Sequence, residues 1–278
     1  MASRRSSSAV TALVLAATVT VAILFLALPI AALFAEVPLR RLPEILRGQA
    51  VVDGLSVTLR TNLAANALIL AIGTPAAYLL ATRRFAGRLL LITLIELPLV
   101  MPPAVAGIGL LAAFGAQGLL GSALQAGGIR IPFTQLAVVL AITFVAAPFY
   151  LRQAIAAFES VDPDLVAAAR TLGAGPGRTF ARIALPLAVS GLAAGWSLAF
   201  ARGIGEFGAT LFFAGSIRGV TETLPLLIYE QLEVDFDTAV ALGAILVCIS
   251  AGILITYKLL AGWTRSASLS PAASATSR

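Results

Sequence analysis

The sequence predicts an all-α polytopic membrane protein of about six transmembrane helices, with a short helix in one of its polar connections. Three observations predict it. Hydrophobic residues make up 59% of the 278 and charged residues only 12%, where soluble domains carry roughly half and about a quarter. Mean hydropathy is +0.98. The apolar residues also fall into long runs separated by stretches rich in Arg, Gly and Pro, and a spanning helix needs roughly 20 such residues. Charges this scarce cannot cover a globular surface.

The first span is expected over about Ala9 to Ala35, after Ser3-Arg4-Arg5-Ser6. A secretory signal peptide is the rival reading. The run is about twice the length of a typical signal core, which favours an uncleaved helix. A polar stretch with Pro38, Pro43, Gly48 and Asp53 closes this N-terminal region, residues 1–54. The second span covers about Leu55 to Ala81, and Arg83, Arg84 and Arg88 follow it. The third runs from about Leu89 to Phe114 and leads into a Gly-rich link ending at Pro132. The fourth occupies about Phe133 to Phe158, and the fifth about Ile183 to Phe213, interrupted by glycines and charges. The sixth covers about Thr238 to Leu260. Residues 55–261 thus form one transmembrane domain, and the Ser/Ala-rich tail, residues 262–278, is expected to be disordered.

Composition also excludes functions. The net charge of +6 and pI near 10.4 would suit nucleic acid only as a basic patch on a polar surface. Here the arginines stand singly or in short groups between apolar runs, the pattern of the positive-inside rule. The expected contact is membrane lipid and no nucleic acid. Histidine is absent and the only cysteine, Cys248, lies in the last apolar run. An internal disulfide, a His-based metal site and His acid–base chemistry are therefore not expected, and Cys248 reads as a small buried apolar residue. No paired acids at membrane depth suggest an embedded enzyme, and no metal site is assigned.

Arginine distribution sets an orientation. With the N-terminus inside, the inner segments hold Arg4, Arg5, Arg83, Arg84, Arg88, Arg152, Arg170, Arg178, Arg182, Lys258 and Arg265. The outer segments hold fewer, and Arg40 and Arg41 lean the other way. Both termini are expected in the cytoplasm.

The connection between the fourth and fifth spans is the most informative. Asp162 suits an N-cap, Pro163 the first helical position, Asp164 the positive helix end, and Gly173 a C′ residue. Leu165, Ala168, Ala169 and Leu172 then share one face. The helix is too short to span. Its small apolar face suits either a docking contact with another protein or a lid on its own spans.

Ala167-Ala168-Ala169, three residues, Gly173, nine residues, Ile183, one residue and Leu185-Pro186 resembles the EAA loop of ABC importer permeases. One departure is clear: Ala167 stands where the family has Glu, so a salt bridge from that position is not expected, while the small docking face is kept. The resemblance spans about Leu55 to Ala261. It implies that Asp162, Asp164, Leu165, Ala167, Ala168, Ala169, Leu172, Gly173, Ile183, Leu185 and Pro186 form a coupling segment seated on a separate cytoplasmic ATPase dimer. ATP and Mg belong to that partner. This chain has no G-x-x-x-x-G-K-[ST] sequence, and its single lysine, Lys258, lies in the final span. Three further segments, 97–107, 201–210 and 223–229, are similar to the molybdate permease branch and its sulfate relatives. The resemblance implies a bacterial inner-membrane permease that pairs with a second copy and takes molybdate or tungstate from an extracytoplasmic oxyanion-binding protein. Sulfate or thiosulfate is the main alternative.

Such dianions need an energy source. Each negative charge entering against 100 mV, inside negative, costs about 2.3 kcal/mol. Arg202 and Glu206 are four apart and share a helical face; they read either as a lining of the path or gate, or as a structural pair. Glu206 is better placed to hold Arg202 or cap backbone amides than to meet an anion. Gly203, Gly205 and Gly208 permit close helix approach or a hinge. Pro98, Pro102 and Pro103 each remove a backbone donor and must disturb the third span, which is expected to border the path. Arg60 reads as an interfacial anchor, and Glu96 has no assigned role. An ATP-independent channel or ion-coupled transporter is the less favoured function, because few charges lie within the spans to relay ions.

Overall fold

The computed structural model describes the chain over residues 2–268, with side-chain surroundings over residues 13–259. Helix α1 (Ala2–Ala35) is followed by the short α2 (Leu42–Arg47) and the long α3 (Gln49–Thr82). Helices α4 (Arg88–Val100) and α5 (Pro103–Phe114) come next, then α6 (Gly121–Ala126) and α7 (Gln135–Glu159). Helices α8 (Pro163–Thr171) and α9 (Pro176–Thr179) lead through a π-helical turn (Phe180–Ala184) into α10 (Leu185–Ile204). Helices α11 (Gly208–Ala214), α12 (Leu224–Val234) and α13 (Phe236–Ser268) complete the described chain. Among the described residues, five helices are long and apolar enough to cross a membrane, and six spans result if the bent pair α4 and α5 counts as one. The molecule is an all-α polytopic membrane protein.

Helices α3, α7 and α10 form the centre, and small residues let them approach. A Cβ at Gly191 would lie 2.5 Å from the Ala157 Cβ, and one at Gly195 only 3.1 Å from the Tyr150 carbonyl oxygen. Without a hydrophobic drive between helices in lipid, such close contact supplies dispersion energy instead. Tyr150 is fully buried, and its hydroxyl meets the Thr74 Oγ1 at 2.6 Å. Helix α1 stands apart, with none of its spanning stretch buried, and Leu33 near its end reaches Gly243 of α13.

Several expectations need correction. The third span is not continuous: α4 and α5 meet at 117°. Met101 (ψ 134°) and Pro102 (ψ 132°) are extended between them, because a residue before proline is driven out of the helical region. The fifth span ends at Ile204, and α11 is a separate helix beyond Gly205–Phe207. The second span begins at Gln49, so the boundary at 54/55 falls inside α3. Cys248 is exposed, in a groove between α10 and α13 on the outside of the bundle. Helix α13 continues to Ser268; the rest of the tail expected to be disordered lies outside the described residues.

Candidate functional site

Two regions hold the residues singled out in the sequence. The first is α8 and the turn after it. The Asp162 Oδ1 accepts a 2.8 Å hydrogen bond from the Asp164 amide, Pro163 fills the first position, and Asp164 and Arg170 sit at the helix ends that match their charges. At the other end the Gly173 amide donates to Arg170 O and the Ala174 amide to Ala169 O, each at 3.0 Å. These two bonds make a Schellman cap, which requires a left-handed residue, and Gly173 supplies it with φ 83°. The helix is therefore closed at both ends by its own sequence and has nine residues.

None of those nine is buried. Leu165 is 49% exposed and Leu172 88%, with Ala168 exposed and Ala169 half-buried between them. An apolar face left open on a helix that spans nothing needs a partner surface. Ile183, Leu185 and Pro186 lie where the chain re-enters the bundle. Pro186 offers no N–H to the Arg182 carbonyl, and just before it the ladder widens, with the Leu185 amide bonding Phe180 O.

The second region lies at the far end of α10. The Arg202 Nη2 is 2.7 Å from the Glu206 Oε2. That oxygen receives no well-directed hydrogen bond, so the contact is an ion pair set by charge rather than by aimed N–H geometry. The other carboxylate oxygen accepts from the Ala209 amide at 2.7 Å, satisfying a free donor in the first turn of α11. Glu206 is only 2% exposed. Gly208 meets the helix break directly: a Cβ there would lie 2.7 Å from the Pro103 Cβ, and one at Gly107 2.7 Å from Ala209 O. Arg202, Glu206 and Gly208 are thus brought to the junction of α10 and α11, where Gly208 packs against Pro103 of α5. Pro102 lies in the bend itself and is exposed, and Pro98 is half-buried on α4.

Sequence reasoning missed a buried polar seam on α3. Thr58, Thr61, Asn62 and Asn66 are all nearly inaccessible. The Asn62 side chain donates to Phe200 O at 3.2 Å, and its Oδ1 fills the space beside Gly203, where a Cβ would sit 2.2 Å away. The Thr58 hydroxyl accepts from the Leu224 amide at 2.7 Å, capping α12. The signal was available: four polar residues at helical spacing inside an apolar run must face protein rather than lipid. Two ion pairs between α4 and α7 were also missed, Arg88 with Glu159 and Glu96 with Arg152 at 3.1 Å. They give Glu96 its partner.

At the end of the bundle that carries α12, Arg41 bonds Asp235 (2.7 Å) and Asp237 (2.8 Å). The guanidinium and the Thr238 hydroxyl hold the Asp235 carboxyl down at about 2, and Arg41 itself is shifted up by the two carboxylates. Glu222, in the connection between α11 and α12, is 4% exposed. Burial first, and then the neighbouring Glu230, push its carboxyl above the ordinary range, against a smaller opposing pull from Arg218.

A closed short helix with an open apolar face, on a bundle with a broken span, is what comparison with known proteins resolves. The family described as "Binding-protein-dependent transport system inner membrane component" matches residues 69–265. The chain belongs to this family. It is a membrane-spanning permease subunit of an ABC-type importer and a transport component rather than an enzyme. The permease is 48% identical over 203 residues to the molybdenum transport system permease protein ModB of Mycobacterium tuberculosis, across 72% of this chain and 76% of that protein. It is 34% identical over 216 residues to the sulfate transport system permease protein CysT of Escherichia coli, across 78% of each. Its fold matches a bacterial alginate ABC transporter with a TM-score of 0.74 at 15% identity, covering 92% of this chain and 96% of that one. The MetNI methionine transporter matches with a TM-score of 0.59 at 19% identity, covering 76% and 94%. At these identities the likeness is one of fold.

Proposed function

We propose that the permease imports molybdate, with tungstate as the alternative oxyanion of the same shape, across a bacterial inner membrane. The observation that supports this is the 48% identity to ModB proteins against 34% to a sulfate permease. In this reading an extracytoplasmic oxyanion-binding protein delivers the anion to a pair of permease copies, and both termini are cytoplasmic. A cytoplasmic ATPase dimer, holding ATP and Mg, seats on the exposed face of α8, with Leu165, Ala168, Ala169 and Leu172 in contact. Asp162, Asp164 and Gly173 fix that helix, Ala167 lies within it, and the segment Ile183, Leu185 and Pro186 leads from it into α10.

Motion of α8 then travels along α10, a continuous helix, to the junction of Arg202, Glu206 and Gly208, with Gly208 against Pro103. There the bend at Pro102 and the shorter α11 give the bundle a place to open without breaking packed helices. Pro98 and Pro102 free carbonyls that a protein-lined or watery path satisfies. Arg202 offers the positive charge and Glu206 holds it in place.

The test is ATP-dependent uptake of labelled molybdate into vesicles carrying the permease with its co-purified ATPase and binding protein. Excess tungstate should block uptake and excess sulfate should not. Uptake blocked by sulfate instead would move the substrate to the CysT class and leave the coupling scheme standing.

A further inference from the structure

We propose that the permease carries an anion-binding pocket behind α8, on the face opposite the docking face, which takes the phosphate of an anionic lipid headgroup or an equivalent tetrahedral oxyanion. The cavity has a volume of about 510 Å³ and lies between the ends of α3, α4, α7 and α8. Its charged lining is Arg84, Arg88, Arg170 and Glu159, three guanidinium groups against one carboxylate. Glu159 is already committed to Arg88, whose Nε also donates to Leu80 O at 2.6 Å. Arg84 and Arg170 have no ion-pair partner among the described residues.

The rest of the wall is apolar. Tyr78 and Phe158 meet edge to face with centroids 5.3 Å apart and, with Val166, line the cavity beside the arginines. Unpaired guanidiniums next to aromatic and aliphatic walls match an amphiphile whose anionic group enters while its apolar part lies along the helix ends. Guanidinium groups bind phosphate oxygens in a fork geometry, and basic pockets between helix ends on the cytoplasmic side suit anionic headgroups. Placement at the ends of three spanning elements puts the mouth at headgroup depth.

Helix α8 contributes Pro163, Val166 and Arg170 to the pocket, at spacings of three and four residues and so on one face. Leu165, Ala168, Ala169 and Leu172 lie on the other. A bound anion would bridge Arg170 of α8 to Arg84 at the end of α3, restraining the helix from behind while its front remains open. That relation to docking rests on the function proposed above; binding itself does not, and it is measured without ATPase or substrate.

The experiment uses the full chain in phosphatidylcholine nanodiscs, titrated with short-chain phosphatidylglycerol and read by native mass spectrometry and by hydrogen exchange over residues 163–171. Phosphatidylglycerol should be retained over phosphatidylcholine and slow exchange in α8. The double variant Arg84→Gln, Arg170→Gln should lose retention by roughly fivefold for each arginine. Glu159→Gln, which removes the only carboxylate of the lining, should tighten it severalfold. Displacement by millimolar inorganic phosphate would assign the pocket to a free oxyanion, and resistance to phosphate would assign it to lipid; either supports the site. Equal retention of the two lipids, or a double variant that binds like the unaltered chain, would overturn it.

Discussion

Gly173 shows how one residue sets the end of α8, the proposed docking helix. Its φ of 83° is left-handed, and a Cβ there would meet no atom within 4 Å. The cost of Gly173→Ala is therefore conformational alone, about 1–2 kcal/mol. Hydrogen exchange across residues 163–174 should accelerate while the rest of the chain is unchanged. Glu206 makes the opposite case, a residue whose two oxygens serve two masters. Glu206→Gln keeps a carbonyl for the Ala209 amide and loses the charge that holds Arg202. Uptake should fall severalfold at normal expression, and unchanged uptake would remove the pair from the path. Glu222 allows a pH test. Its carboxyl is raised in the folded chain, so between the unfolded and folded values the native state binds more protons, and stability falls as pH rises through that window. Glu222→Gln should raise the melting temperature at about pH 8, with the gap closing toward about pH 4. Asp235 has the opposite sign. Its contribution is present above the ordinary aspartate range and is lost as pH falls toward about 2.

At the scale of elements, the break between α4 and α5 makes α4 a separate helix, and two ion pairs fasten it to α7. Arg88 and Glu96 are eight residues apart on α4, and Glu159 and Arg152 seven apart on α7, which matches antiparallel helices over two turns. Replacing Glu96 and Arg152 singly and together should give a coupling of about 0.2–1 kcal/mol in a thermal-stability cycle. Helix α8 was the most legible element, since its caps, Asp162 and Gly173, are local chemistry. The bend was half legible: Pro102 and Pro103 announce a disturbance, but its 117° angle depends on where α11 seats Gly208 against Pro103. The end of α10 was hidden for a related reason. Residues 205–214 remain apolar enough to read as span, and only the Glu206 cap on α11 marks the new helix. The polar seam on α3 lay in plain view as Thr58, Thr61, Asn62 and Asn66. What it touches, α10 and the start of α12, is tertiary and has no local signature.

At the scale of the molecule, the exposed helix α8, the proposed docking element, is joined through α9, the π-helical turn and the unbroken α10 to the Arg202–Glu206 pair at the far end of the bundle. The long arm α1 lies largely outside the bundle, and the Arg41 clamp on Asp235 and Asp237 ties the connection after it to the start of α13. Arg41→Ala should expose that connection to protease without changing α8, since the two lie at opposite ends of the spans. The central claim is that ATP hydrolysis on a partner reaches the path through α8, and the most direct measurement is molybdate uptake in vesicles containing the permease, ATPase and binding protein. Charged residues placed on the docking face, as Ala168→Glu with Leu172→Glu, should abolish ATP-dependent uptake and release the ATPase, while the variant chain remains folded. Uptake and ATPase retention equal to those of the unaltered permease would contradict the account.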